Sequence, residues 1–340
     1  MIDLRFLPRE PLPSGELRRA ACSAIGDVAA FRDRFEVMKR QYWSKYSCRD
    51  YILRRDLERL NADTGVDDDT VDIVCREHMC EWANRIVDHY HGSREIVAIS
   101  LSYLDRFLDR CCCDRAVFKL ASITSLYIAT KLNSRKHISM KSLAALSRGE
   151  FGVENIAEME CIILETLEWH LHPPTVKAFV EQLIRLLPLD IDDRIRERIY
   201  HRAHFFAELS VLNYGLSIGD PANIALSAIL NAIEGFEYPH ITNSAVTEFL
   251  EFVEQTTKVN AWQSRSISTV RYQLWELYNK SEEFHRQIPS APGIVTDLLS
   301  GTNGICDSCD ELIPLVISSN PKERTAEGRN SSPISVRSFG

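Results

Sequence analysis

The chain has 340 residues, 45% of them hydrophobic and 26% charged, and carries a formal net charge of −8. This is the composition of a globular protein with enough apolar material for one or two cores, and the length leads us to expect two domains. The acidic balance argues against general nucleic-acid binding, which needs surplus Lys and Arg to neutralise phosphates, although a local basic patch stays open.

Residues 1 to 15 read as irregular, and "MIDLRFLPREPLPSGEL" lacks the long apolar core of a secretory signal. No run approaches the roughly 18 apolar residues of a membrane span, so no membrane association is expected. An intracellular setting keeps thiols reduced. The ten cysteines are therefore read as small buried hydrophobes or free thiols rather than a disulfide frame.

Periodic apolar patterns near 3.6 residues dominate, and strand signals are scarce. "RRDLERLN" (54–61) contains an R-x-x-L run, a weak degradation signal that is better read as part of an ordered helix. From residue 76, "REHMCEWANRIVDHYHG" sets Met79, Trp82, Ala83, Ile86, Val87 and Tyr90 on one helical face, with Gly92 as its stop. The next helix begins near Ser93, a residue suited to capping, and carries the stripe Val97, Leu101, Leu104 and Leu108. "DRAVFKLASITSLYIATKLN" (114–133) is apolar or small almost all round, the pattern of a helix at the centre of a bundle. Its Ala121, Ser122, Ser125 and Ala129 would admit close neighbours. A short helix over 139–147 and a longer one over 153–171 follow, and "HPPT" (172–175) breaks the series because Pro-Pro cannot continue a helix.

A second series covers roughly 175–187, 190–213, 221–235, 241–256 and 260–285. "PANIALSAILNAIEGF" (221–236) is again small and apolar, a second central helix. Pro, Gly, Ser and Asn accumulate from Pro289 onward, and residues 289–340 read as a disordered tail. The expected organisation is an N-terminal segment (1–45), a first bundle (46–171), a second bundle (172–288) and that tail, in an all-α fold of two sets of about five helices.

Metal and catalytic chemistry find little footing. Cys111, Cys112 and Cys113 are adjacent, so at most alternate thiols could face one ion. Cys306 and Cys309 form a single C-x-x-C, half of a zinc site with no second pair or nearby His to complete it. There is no Gly-rich phosphate loop, nucleophile elbow or H-E-x-x-H, so no catalytic residues, metal or cofactor are assigned.

The letters at 76–174 resemble the cyclin family. Its members carry a basic residue, a Trp six positions later, then Tyr-Ile/Leu-Asp-Arg-Phe-Leu; here these are Arg76, Trp82 and "YLDRFL" (103–108). A helix ending Ala-Ser/Thr-Lys matches "LYIATKL" with Lys131. A Met-Glu pair before a Leu-rich helix ending in Pro-Thr matches Met159-Glu160 and "HPPT". The second bundle resembles the family's C-terminal box in pattern only. Residues 34–51, "RFEVMKRQYWSKYSCRDY", look similar to the approach helix of D-type and diatom cyclins.

The resemblance implies two tandem cyclin boxes and a regulatory subunit, not an enzyme. It would form a heterodimer with a cyclin-dependent kinase and control cell-cycle progression, of G1/S type, in nucleus and cytoplasm. Arg76 and Asp105 would form a structural ion pair inside the first box, with Arg106 on the surface side. Lys131 and Glu160 would meet the kinase. The family's substrate-docking patch falls on Cys75, His78, Met79, Trp82, Arg85 and Lys119. His78 and Arg85 depart from its usual apolar and acidic residues, and Arg85 would repel the arginine of an R-x-L peptide, so the expectation is either a weakened or altered docking groove or simply a solvated face. No L-x-C-x-E occurs: "DSCDE" (307–311) has Asp307 where Leu is required. Ser332-Pro333 is a minimal proline-directed phosphosite. The alternatives are a transcription-type cyclin, or a cyclin-fold transcription factor that grips DNA; the latter would want a basic face.

Overall fold

The computed structural model describes residues 16–62, 71–135, 137–234, 241–259, 265–287 and 337–338. The described residues are all-α apart from one two-residue antiparallel pairing, Cys111–Cys112 with Arg337–Ser338. Most of the expected tail, with Cys306, Cys309 and Ser332, lies outside the described residues, as does the stretch 1–15.

The chain opens with α1 (Glu16–Gly26) and α2 (Val28–Gln41). Residues 34–51, expected as one approach helix, divide here. Helix α2 ends at Gln41, Tyr42–Tyr46 form a wider turn closed by Ser47 N–H donating to the Tyr42 carbonyl, and α3 (Tyr51–Ala62) starts afresh. The cause is tertiary: the Tyr42 hydroxyl donates to the Gly219 carbonyl at 3.0 Å, which pins this turn to the far half of the chain.

The first bundle follows with α4 (Ile73–His89), α5 (Glu95–Arg110), α6 (Arg115–Asn133), α7 (Met140–Leu146) and α8 (Val153–Thr166). Side-chain caps start three of them: Asp72 accepts from Cys75 N–H, Asp114 from Val117 N–H and Ser139 from Ser142 N–H. Between α4 and α5, Ser93 Oγ accepts from Glu95 N–H. Helix α6 is buried almost throughout, and Ala121, Ser122, Ser125 and Ala129 let α5 and α8 approach it. Tyr90, expected on the apolar face of α4, is exposed instead, because the helix ends at His89 and the chain turns away through His91 at φ 54°. Helix α8 stops at Thr166, short of 171. Glu168 and Trp169 adopt left-handed backbone, at φ 52° and 60°, which no helix can continue.

The second bundle comprises α9 (Val176–Leu183), α10 (Asp193–Leu212), a single turn α11 (Tyr214–Ser217), α12 (Pro221–Glu234), α13 (Asn243–Thr257) and α14 (Arg265–Gln287). Thr175, the last residue of "HPPT", caps α9 by accepting from Ala178 N–H. Helix α12 sits at the centre against α9, α10 and α14. Its buried Asn231 donates to the Arg271 carbonyl while Arg271 Nε donates back to Asn231 Oδ1, a reciprocal pair that fixes α14.

Two apolar clusters result. One spans Tyr51 to Leu171 and takes in Tyr214; the other spans Phe179 to Tyr278 and takes in Ala24, Phe31 and Phe35 from the N-terminal helices. Thus α1 and α2 precede the first bundle in sequence but complete the core of the second. Phe31 stacks on Phe35, which meets Phe179 edge-on at 5.6 Å.

Two predictions follow from these cores. Phe35→Ala should cost about 3–5 kcal/mol, as for other buried aromatic truncations, and urea unfolding of the variant should show that loss in the chain's overall transition. His204 is buried, its Nε2 has no hydrogen-bond partner among the described residues, and burial with Lys177 and His201 nearby pushes its pKa down to about 3. It stays neutral when folded but protonates when unfolded between pH 6.5 and about 3. Stability should therefore fall as pH drops through that window, and His204→Phe should shallow the slope by about one proton.

Candidate functional site

Burying the guanidinium of Arg76 organises the first bundle. Arg76 lies in the first turn of α4 on the inward face, fully buried, and its Nε and Nη2 donate to the two carboxylate oxygens of Asp105 on α5 at 3.2 and 2.9 Å. Burial alone would lower its pKa. The charge of Asp105 and its hydrogen bonds outweigh that, and the pKa of Arg76 rises. Asp105 Oδ1 also accepts from the Tyr51 hydroxyl of α3 at 3.1 Å. The remaining Arg76 nitrogen, Nη1, crosses to the second bundle and donates to the Val211 carbonyl of α10 at 2.7 Å. Tyr214 closes the circuit: its ring meets Tyr51 edge-on at 5.2 Å and its hydroxyl donates to Asp50. One ion pair therefore ties α3, α4, α5 and the α10–α11 corner together. Tyr51, Val211 and Tyr214 carry no local sequence signal for this role, since a carbonyl partner leaves no mark on the letters.

Arg106, expected on the surface side, is buried at 3% exposure. It donates to the carbonyls of Ser102, Lys45 and His170 and lies over the rings of Tyr46 and Tyr103. Burial lowers its pKa to about 10, so it remains charged at neutral pH. The fold turns it inward because it fastens the turn before α3 and the loop after α8 onto α5.

Lys131 occupies the last turn of α6, where the helix dipole favours a cation. Its Nζ lies 2.9 Å from Glu160 Oε1 on α8 and over the Tyr127 ring. The hydrogen bond it donates to Glu160 raises its pKa. The lysine side chain is 47% exposed and the glutamate side chain 12%, so the pair shows solvent mainly its ammonium, backed by a largely buried carboxylate. Leu132, next in sequence, is an exposed apolar neighbour.

The residues at the expected docking-patch positions divide. Cys75, Met79 and Trp82 are buried in the first core and present little surface. His78 is half-buried. Arg85 is exposed and pairs with Glu81 one turn earlier, and Lys119 reaches Glu150 at 3.5 Å. What the outside sees at these positions is polar and basic. The cause is helical phase: the apolar members of the set all lie on the α4 stripe that faces the bundle.

A cleft of about 100 Å³ lies between α5 and the second bundle. Its charges answer one another: Arg94 bridges Asp88 and Glu208, and Lys177 meets Glu95, which also accepts from Thr175. These contacts join the bundles. Cys111 is buried and Cys112 and Cys113 are half-buried, all three as free thiols. No helix among the described residues is long and apolar enough to cross a membrane.

Residues 48–172 match the family model described as the cyclin N-terminal domain. Cyclin-A1-4 of Oryza sativa subsp. japonica is 23% identical over 223 residues, covering 66% of this chain and 57% of that protein. The G1/S-specific cyclin-D2 of Gallus gallus is 23% identical over 185 residues, covering 53% of this chain and 63% of the relative. The chain thus spans less than two thirds of the length of these curated relatives. A viral cyclin from Herpesvirus saimiri superposes with a TM-score of 0.51 at 18% identity, over 62% of this chain and 89% of that one. At that identity the likeness is one of fold.

Truncating one side of the buried pair should be severe. Asp105→Ala leaves a buried guanidinium uncompensated and should cost about 3–5 kcal/mol, whereas the apolar double variant Arg76→Met with Asp105→Leu should recover much of that loss. Thermal and urea unfolding of the three proteins checks this.

Proposed function

This chain is a cyclin-family protein, and from that premise we propose that it is the regulatory subunit of a cyclin-dependent serine/threonine kinase rather than an enzyme itself. The observation that carries the reading is the Lys131–Glu160 pair at 2.9 Å, between the last turn of α6 and the middle of α8 within the matched domain. An ammonium pre-positioned by a buried carboxylate has donors left to offer carbonyls at the end of a partner's helix or loop. Exposed Leu132 adds the kind of apolar contact from which such interfaces draw most of their energy. Glu160 is the positioning member and Lys131 the contacting one.

The mechanism is a population shift. An isolated kinase of this class rests with its glutamate-bearing helix misplaced and its activation loop collapsed. A rigid bundle that binds only the active arrangement draws the equilibrium over, and about 5.5 kcal/mol of differential affinity takes a switch from 1:99 to 99:1. The work assigned to the cyclin is selective binding. We place it in control of the cell cycle at G1/S, acting in nucleus and cytoplasm. Similarity to a G1/S-specific D-type cyclin supports that phase, while an A-type cyclin matches at the same 23% identity over a longer stretch, 223 against 185 residues. The basic outer face at His78, Arg85 and Lys119 favours kinase substrates with an acidic rather than an arginine-bearing docking segment.

Lys131→Ala should weaken binding to the partner kinase at least tenfold, the worth of one well-placed charged contact (about 1.4 kcal/mol). Glu160→Gln should weaken it less, by loosening the lysine. Pull-down from cell lysate with a histone kinase assay reads both. Undiminished kinase activity with Lys131→Ala, in a protein whose unfolding is unchanged, would exclude this surface.

A further inference from the structure

The wall of the cleft between α5 and the second bundle carries one cation beyond its matched pairs. Three ion pairs lie on it: Arg76 with Asp105, Lys177 with Glu95, and Arg94 with Glu208. Arg94 also meets Asp88, which is off the wall. Arg106 lines the same cleft and belongs to none of these pairs. A guanidinium has five N–H donors. Arg106 directs three at carbonyls, those of Ser102, His170 and, at a long 3.4 Å, Lys45. Five less three leaves two, one on each terminal nitrogen. At 3% exposure, bulk water offers them little. Buried cations are ordinarily paired, because desolvation without a counter-charge is costly. No carboxylate pairs with Arg106 among the described residues, and burial pulls its pKa down to about 10.

The rest of the cleft narrows the chemistry of what would answer that charge. Val97, Leu101, Pro174, Val176 and Ala207 give it apolar walls, and Ser102 adds a hydroxyl one turn before Arg106. Few polar anchors on an apolar lining is how small-ligand sites are built. The volume of about 100 Å³ is several times what a water molecule needs. One surplus positive charge calls for one negative charge, and Glu95 and Glu208 on the same wall oppose a second, which disfavours a phosphate dianion. A carboxylate is planar and meets a guanidinium through parallel hydrogen bonds, roughly twice as strong as neutral ones.

We propose that this cleft binds a monocarboxylate with a short apolar body, its carboxylate on the two spare N–H groups of Arg106 and its body against the apolar wall. The lining comes from α5, α9 and α10, so an occupant bridges the two bundles. The same carboxylate chemistry is offered by a free acid and by an acidic side chain of a partner, and the test separates the two.

The test uses the full chain in a carboxylate-free buffer. Ligand-observed NMR follows butyrate, its neutral isostere butyramide and inorganic phosphate, and a second series follows the capped peptides acetyl-Val-Glu-Val-amide and acetyl-Val-Gln-Val-amide. Butyrate should bind at least tenfold more tightly than butyramide or phosphate. Binding of the Glu peptide alone, with the Gln peptide silent, supports the site and assigns its ligand to a partner's side chain. Arg106→Gln should abolish binding, but it also removes three structural bonds, so the deciding variant is Ala98→Leu. Ala98 lines the cleft, and the larger side chain fills it while leaving Arg106 and its bonds in place. Affinity should fall at least tenfold, with circular dichroism and urea unfolding confirming the fold. No carboxylate binding at millimolar concentration, butyramide or phosphate binding as well as butyrate, or an affinity unmoved by Ala98→Leu would each overturn the assignment.

Discussion

A guanidinium cut off from water must find acceptors inside the fold for its N–H groups, and the arrangement of both bundles follows from how Arg76 meets that demand. Asp105 satisfies two of its nitrogens and the Val211 carbonyl the third. Those three bonds come from α5 and α10, so the group that holds α4 to α5 also holds the first bundle to the second. An apolar pair of similar volume would pack at least as well. What the ionic pair adds is direction: the fork of the guanidinium accepts one relative placement of α4, α5 and α10.

Rigidity here matters for what lies on the surface. Lys131 and Glu160 sit on different helices, and their 2.9 Å contact survives only if α6 and α8 keep their spacing. The small residues of α6 set that spacing, and Arg106 clamps the loop that follows α8 by donating to the His170 carbonyl. On the function proposed above, a surface that works by selecting one conformation of its partner must not itself yield, since any give in the bundle would divert differential affinity to this chain instead of the partner.

Much of this was legible in the letters. The stripes of α4 and α5, the all-round apolar character of α6 and α12 and the break at Pro173-Pro174 are short-range signals, and they mark elements where local pattern and tertiary packing agree. The rest depended on contacts between distant residues. Tyr42 ends α2 because its hydroxyl reaches Gly219, 177 positions away. Arg106 turns inward to meet carbonyls, which any residue could supply. Phe31 and Phe35 cross to the second core although the first bundle follows them in sequence. At the site itself, the identities of Lys131 and Glu160 could be read from the motif, but not that the glutamate would be largely buried and serve the lysine. Nor could it be foreseen that Cys75, Met79 and Trp82 would spend their apolar surface on the core.

The central claim is that one buried pair makes two bundles a single mechanical unit, and native-state hydrogen exchange of the intact chain tests it most directly. Slow amides of α5 and α10 should open with the same free energy and the same denaturant dependence, because breaking the Arg76 node exposes both. If α10 opened at distinctly lower free energy while α5 stayed protected, the bundles would be independent and the account of the node would be wrong.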